Sequence, residues 1–305
     1  MKVLLAVDGS EYSAVAAQML SLLPWKPEDN IVIFMALPSH GPLLGILPQP
    51  LMSAPSVLER LARSEEEAAH DILESIRKSL EGCGAKLESI HTRGAPAEEI
   101  INAADRFGAD LVVVGSKGMG GIQHFVLGSV SQRVLSHSRP SVLVVKPPAQ
   151  PVRQVVVGYD GSAPARAALD FLAQFPLHPD AEVCIVHVVE PYHYHFGGAP
   201  LGYRHELREA MEEIWAAQRQ EGEKVAKAIE AEYKGRFPHV TSQMRFGHPS
   251  QELLDAIRER NANLVVVGHK GHHAVEHFLM GSVAQKVTRY AGCAVLVVKG
   301  VSASR

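Results

Sequence analysis

One glycine pattern occurs twice in this chain, and it limits the possible folds more than any other feature. In each copy two glycines are separated by two residues, and a Gly-Ser pair follows nine residues later. The copies are Gly115, Gly118, Gly128 and Ser129, and then Gly268, Gly271, Gly281 and Ser282. Each copy directly follows an aliphatic run, at residues 111–114 and 264–267. A strand that ends in a glycine loop and leads into a helix is suited to hold phosphate, because backbone N–H groups and the helix N-terminus face the anion. The sequence therefore predicts two phosphate sites.

The two halves of the chain align along most of their length. Residues 3–10 match 155–162, and residues 141–146 match 294–299. A period of this length indicates tandem domains, since solenoid repeats have periods of about 20–50 residues. We predict one domain over residues 1–147, a second over 152–301, and a short proline-rich linker over 148–151.

Composition excludes several classes of protein. With 305 residues, 46% hydrophobic and 21% charged, the chain can form two ordinary domains. A net charge of −3 gives no general attraction to nucleic acid or to an anionic membrane, and no apolar run reaches the ~18–20 residues of a membrane span. The first apolar run ends at Asp8, too short for a signal peptide, so a cytoplasmic location is expected. Three cysteines without C-x-x-C spacing argue against disulfides and a zinc ribbon.

Hydrophobic runs alternate with helical patterns in each half, which indicates an α/β fold with a parallel sheet covered on both faces. In the first half we predict strands over 2–7, 31–36, 86–91, 111–114 and 142–145, a proline-rich loop over 38–55, and helices over 96–107 and 129–137. Ligands of such sheets bind beyond the carboxyl ends of the strands, where strand order switches.

Several residues near these strand ends have two interpretations. Asp8 and Asp160 begin Asp-Gly-Ser triplets. Such a carboxylate either contacts a ligand, by accepting from a ribose hydroxyl or a base N–H or by holding a metal through water, or it forms a plain turn and helix cap. Lys117 and Lys270 lie inside the glycine loops, where a cation either meets phosphate or stays solvated. Ser129 and Ser282 are expected to cap the following helices and to donate to a phosphate oxygen.

These motifs together resemble the universal stress protein family. The resemblance lies in the glycine pattern, in Val7-Asp8-Gly9-Ser10, and in the closing Val142-Leu143-Val144-Val145-Lys146, and it covers nearly the whole chain. It implies two tandem Rossmann-like domains of the adenine nucleotide alpha hydrolase type. Each would have a five-stranded parallel sheet in the order 3-2-1-4-5, with helices on both faces.

The resemblance also implies the ligand, which is ATP, commonly accompanied by Mg²⁺. AMP and a cyclic nucleotide present adenine, ribose and phosphate to the same groups, so the residues leave these alternatives open. Asp8 and Asp160 would contact the adenosine, and Ala36 and Val188 would lie against adenine. The remaining nucleotide-binding residues implied by the resemblance are Val114, Gly115, Lys117, Gly118, Gly128, Ser129 and Val130 in the first half, and Val267, Gly268, Lys270, Gly271, Gly281, Ser282 and Val283 in the second.

Two further expectations follow from the family pattern. The last strands, 142–145 and 295–298, are expected to pair, either between the halves of one chain or between two chains of a dimer. Ala36 replaces a larger aliphatic residue and follows Met35, whereas the second half has His187 at the matching position. The first site is therefore expected to be the weaker one.

The predicted function is regulatory nucleotide binding with at most slow ATP hydrolysis. The Walker string and the G-x-S-x-G elbow are missing, and no catalytic residue is predicted. A nucleotidyltransferase or ATP pyrophosphatase is a less favoured alternative, since the H-x-G-H and S-G-G-x-D-S signatures are absent. An interaction module with vestigial nucleotide sites is a third alternative.

The histidines of the second glycine loop raise a separate question, that of a metal site. His273 and His277 have the i, i+4 spacing suited to zinc, but in the first half only His124 matches, so we predict surface histidines and no metal site.

Overall fold

The computed structural model describes residues 1–39, 55–118, 127–191, 204–271 and 280–300. They form two compact units, Met1–Pro151 and Val152–Arg305. The histidine pair 273 and 277, and most of the predicted loop 38–55, lie outside the described residues.

The first unit alternates strands with helices throughout. Its elements are β1 (Lys2–Val7), α1 (Glu11–Ser21), β2 (Asn30–Leu37), α2 (Pro55–Ser79), β3 (Lys86–Arg93), α3 (Pro96–Phe107), β4 (Leu111–Gly115), α4 (Ser129–His137) and β5 (Ser141–Val145). All strand pairs are parallel, and their order is β3-β2-β1-β4-β5. The 3-2-1-4-5 order is therefore confirmed for this unit.

The second unit repeats this plan. Its elements are β6 (Gln154–Tyr159), α5 (Ala163–Leu172), β7 (Glu182–Val189), α6 (Arg204–Tyr233), β8 (His239–Phe246), α7 (Pro249–Glu259), β9 (Leu264–Gly268), α8 (Ser282–Tyr290) and β10 (Ala294–Val298). Its parallel strands follow the order β8-β7-β6-β9-β10, the same topology as in the first unit.

Burial explains which strand predictions were accurate. β4 is buried along its whole length, as expected for a central strand with helices on both faces. β3 carries mostly exposed side chains, and it continues two residues beyond the predicted end at His91. An edge strand has a less apolar sequence, so its end is hard to read from hydrophobicity. No helix among the described residues has the length and apolar character needed to cross a membrane.

The topology determines where the site motifs meet. β1 pairs with β4 and β6 pairs with β9, so the Asp-Gly-Ser turn and the glycine loop leave neighbouring strands at the same edge of the sheet. The remaining strands continue from this pair in opposite directions, which makes it the switch point of each sheet.

Candidate functional site

The Asp-Gly-Ser triplet forms a tight turn that also caps a helix. Ser10 donates to Oδ1 of Asp8 from its backbone N (3.0 Å) and from Oγ (2.6 Å). Gly9 has a φ of 79°, a left-handed conformation that favours glycine. Ser10 then caps α1 by accepting from the backbone N of Ser13. The second unit has the same turn, in which the backbone N of Ser162 donates to Oδ1 of Asp160 at 3.0 Å. The turn-and-cap interpretation is therefore correct, and it uses one oxygen of each carboxylate.

The other carboxylate oxygen faces the glycine loop. A Cβ added at Gly118 would lie 2.6 Å from Oδ2 of Asp8, and one added at Gly271 would lie 2.5 Å from Oδ2 of Asp160. Neither glycine has a positive φ, so close packing and not backbone conformation accounts for glycine here. In both units the structure brings the carboxylate and the predicted phosphate loop into direct proximity.

Backbone hydrogen bonds hold the two ends of each glycine loop together. The backbone N of Ser116 donates to the carbonyl of Val145 (2.8 Å), and the backbone N of Gly128 donates to the carbonyl of Ser116 (2.8 Å). In the second unit His269 plays the part of Ser116, and Gly281 donates to its carbonyl at 2.8 Å. In each unit the Gly-Ser pair at the end of the loop is therefore held beside the two glycines at its start.

The prediction that Ser129 and Ser282 cap the helices after the glycine loops is wrong. Gly128 and Gly281 occupy the N-cap positions of α4 and α8, and neither helix start has a side-chain cap hydrogen bond. Ser129 and Ser282 are the first helical residues. The reason is that glycine itself has the extended backbone of the cap and no side chain. Such a helix start leaves its first N–H groups available to an anion.

A cavity of about 480 Å³ opens at this edge of the second unit. All nine residues predicted for the second site line it: Asp160, Val188, Val267, Gly268, Lys270, Gly271, Gly281, Ser282 and Val283. In the first unit Asp8 faces Gly118 in the same way. Val114 is the next-to-last residue of the buried β4, Ala36 lies near the end of β2, and Val130 lies in the first turn of α4.

The cavity also has lining residues that the sequence analysis did not identify. They are Gly158, Tyr159, Ala165, Val186, Glu190, His248, Pro249, Leu253 and Ala284. One signal was available for Pro249, because Gly94 and Pro96 recur as Gly247 and Pro249 in the aligned halves. Gly247 follows β8 and Pro249 begins α7. Their recurrence indicated a turn between the strand and the helix in both halves of the chain, but it did not indicate that the turn lines the cavity.

Positively charged side chains lie beside the glycine loop of the second cavity. Lys270 lines the cavity, and the register of β9 with β10 places Lys299 beside His269. Burial and then the charge of Lys270 lower the pKa of Lys299 from 10.5 to about 8. Burial and the same two lysines lower the pKa of His269. In the first unit Nζ of Lys117 lies 5.7 Å from the ring centroid of Tyr12.

The lowered pKa of Lys299 predicts a pH-dependent stability. Between about pH 8 and 10.5 the unfolded chain keeps the lysine proton that the folded chain has lost, so stability rises with pH in this window. We expect Lys299→Met to be more stable than the parent at pH 7, and the difference to shrink as pH rises through the window. Urea denaturation at several pH values measures this, with the exposed Lys286→Met as control. A Lys299→Met protein less stable than the parent at pH 7 would contradict it.

Comparison with known proteins places the chain in a family. The sequence profile of the universal stress protein family matches residues 1–146 and again residues 151–299. The chain belongs to the universal stress protein family. The two matches cover nearly all of the chain, so both units are members of this family.

Individual relatives of the family agree with this assignment. A universal stress protein of Methanocaldococcus jannaschii is 31% identical over 147 residues, which is 48% of this chain and 82% of that protein. Universal stress protein YxiE of Bacillus subtilis is 32% identical over 149 residues, 48% of this chain and 98% of the relative. The crystal structure of a universal stress protein from Archaeoglobus fulgidus matches with a TM-score of 0.64 at 24% identity, covering 98% of both chains. That last similarity shows a shared fold.

Proposed function

We propose that each unit binds one adenine nucleotide, with the phosphates at the glycine loop and the base near the end of the second strand. The observation that carries this proposal is the contact between a carboxylate and a loop glycine, Asp8 with Gly118 and Asp160 with Gly271. A plain turn and helix cap requires only one carboxylate oxygen, so it gives no reason for the second oxygen to face a glycine loop.

The lining of the second cavity supports a nucleotide over a simple phosphate ion. Its volume of about 480 Å³ is within the range of about 300–1,000 Å³ for small-molecule sites. Lys270, the loop backbone and the start of α8 form an anion-binding end. Val186, Val188 and Leu253 offer an apolar surface for a base. Asp160 contributes a carboxylate that accepts hydrogen bonds from ribose hydroxyls.

ATP with Mg²⁺ is the ligand that we propose for both sites. Mg²⁺ in nucleotide sites is held by phosphate oxygens and one or two carboxylates, with several waters kept. The carboxylate of Asp8 or Asp160 fits that donor set. Among the described residues there is no group of three metal-binding side chains, so the phosphates of the nucleotide would be the main ligands of the ion.

We propose regulation through nucleotide occupancy, with at most slow hydrolysis. The sequence has neither the Walker string nor a nucleophile elbow, and one oxygen of Asp8 is already engaged by Ser10. Pairing of strands 142–145 and 295–298, within one chain or between two, stays a prediction.

The test is the identity of any ligand that co-purifies with the full chain. Protein purified without added nucleotide is denatured, and the released small molecules are identified by mass spectrometry. We expect adenine nucleotides at up to two per chain, and none from a Gly118→Ala/Gly271→Ala protein purified in parallel. Absence of adenine nucleotide, together with no calorimetric binding of ATP, would refute the proposal.

A further inference from the structure

A histidine side chain fixes the strand that leads into the second site. His187 on β7 lies directly opposite Tyr159 on β6 in the parallel register. Its Nδ1 is 2.9 Å from the backbone carbonyl oxygen of Tyr159. A carbonyl only accepts, so Nδ1 carries the hydrogen and donates it.

The surroundings of His187 hold its ring in place. The rings of His187 and Tyr159 have centroids 6.2 Å apart and are tilted by 55°. Helix α6 packs close to the ring at Gly222, where an added Cβ would lie 3.7 Å from Cδ2 of His187 and 2.5 Å from Cγ2 of Val189. The Tyr159 hydroxyl is 3.4 Å from Nη2 of Arg166, and Tyr159 itself is buried. The hydrogen bond is therefore made between two confined groups.

The restrained carbonyl is directly followed by the site carboxylate. Tyr159 lines the cavity and precedes Asp160, whose carboxylate faces Gly271. Fixing the Tyr159 carbonyl fixes the peptide plane between the two residues, and with it the direction in which Asp160 leaves the strand. The hydrogen bond from His187 thus acts on the position of that carboxylate.

The first unit lacks this hydrogen bond. Met35 occupies the position of His187 and lies opposite Val7, the residue before Asp8. A thioether is only a weak acceptor and has no hydrogen to donate. The two units therefore differ in how the strand end before the aspartate is restrained.

We propose that His187 is a positioning residue of the second nucleotide site, and that it makes this site tighter than the first. The inference rests on the proposed nucleotide binding. It assigns His187 a role through Asp160 and the Tyr159 carbonyl, without contact to the ligand.

The experiment compares His187→Met with His187→Asn by calorimetric titration with Mg²⁺–ATP. Both are made in a Gly118→Ala protein of the same chain, in which the first site is weakened at least tenfold, so that the tight phase of the titration reports the second site. His187→Met reproduces the residue of the first unit and is expected to weaken ATP binding by roughly threefold to tenfold, the effect of one hydrogen bond. His187→Asn keeps an N–H donor near the place of Nδ1 and is expected to bind within about twofold of the parent.

The reciprocal change gives an independent reading. Met35→His in a Gly271→Ala protein is expected to tighten ATP binding at the first site by roughly threefold. Equal affinities of the parent and His187→Met would overturn the inference alone, and so would a His187→Asn protein as weak as His187→Met. Absence of ATP binding in the Gly118→Ala parent would overturn the proposed function, and this inference with it. Circular dichroism of each variant establishes that it is folded.

Discussion

Replacing Gly118 and Gly271 together by alanine is expected to weaken ATP binding strongly at both sites while the protein stays folded. Each new methyl group would meet the far oxygen of a site aspartate, at 2.6 Å in the first unit and 2.5 Å in the second. The carboxylate must turn away, and the methyl then occupies the space between it and the loop. A hydrogen bond to a charged group contributes about 1.5–3 kcal/mol, so each site should lose roughly tenfold to a hundredfold in affinity from this contact alone.

The fold should tolerate these two substitutions. Neither glycine has a positive φ, and the atom displaced in each case is the end of a flexible side chain. Alanine at such a position changes the free energy of unfolding by less than about 1 kcal/mol. Gly292→Ala is the matched control, since an added Cβ there has nothing within 4 Å, and both its affinity and its stability should equal those of the parent. Undiminished ATP affinity in the double variant would show that the nucleotide sites lie elsewhere.

Substitution of the first glycine of each loop is expected to damage the fold. A Cβ at Gly115 would lie 2.7 Å from the backbone carbonyl oxygen of Tyr12, and one at Gly268 would lie 2.7 Å from the carbonyl carbon of Pro164. These are backbone atoms near the starts of α1 and α5, so a whole helix must shift. Overpacking of this kind costs about 1–3 kcal/mol per site.

Urea denaturation of Gly115→Ala and Gly268→Ala, followed by circular dichroism, measures this loss. Gly115 and Gly118 lie in the same loop but have different neighbours. An added Cβ meets the backbone of Tyr12 at Gly115 and the end of the Asp8 side chain at Gly118, so only the first substitution should lower stability. We expect a lower denaturation midpoint for Gly115→Ala and an unchanged midpoint for Gly118→Ala. Equal stabilities of these two variants would contradict the packing of α1 against β4.

The glycine pattern allowed much of the site to be predicted from the sequence. Because β1 and β4 are near-continuous aliphatic runs, each could be recognised as a buried strand, and the polar residues after them could be assigned to one edge of a parallel sheet. The order 3-2-1-4-5 came from the family resemblance, since hydrophobic patterns do not specify which strands are neighbours. The same resemblance supplied the nine residues of the second half that line the cavity.

The parts that could not be predicted depend on tertiary contacts. His248 and Glu190 follow the ends of β8 and β7, and only the folded sheet brings them to the same cavity as Gly271. The hydrogen bond between His187 and Tyr159 joins residues 28 positions apart. The error at Ser129 had a local cause, because serine is a favoured N-cap residue but the preceding glycine takes that place.

The central claim is that both units hold an adenine nucleotide between an aspartate and a glycine loop. Calorimetric titration of nucleotide-free, full-length protein with Mg²⁺–ATP tests it most directly. We predict two ATP molecules bound per chain, with the tighter event weakened at least tenfold in Gly271→Ala and the weaker event weakened at least tenfold in Gly118→Ala. Absence of ATP binding, or binding that neither glycine substitution affects, would contradict the claim.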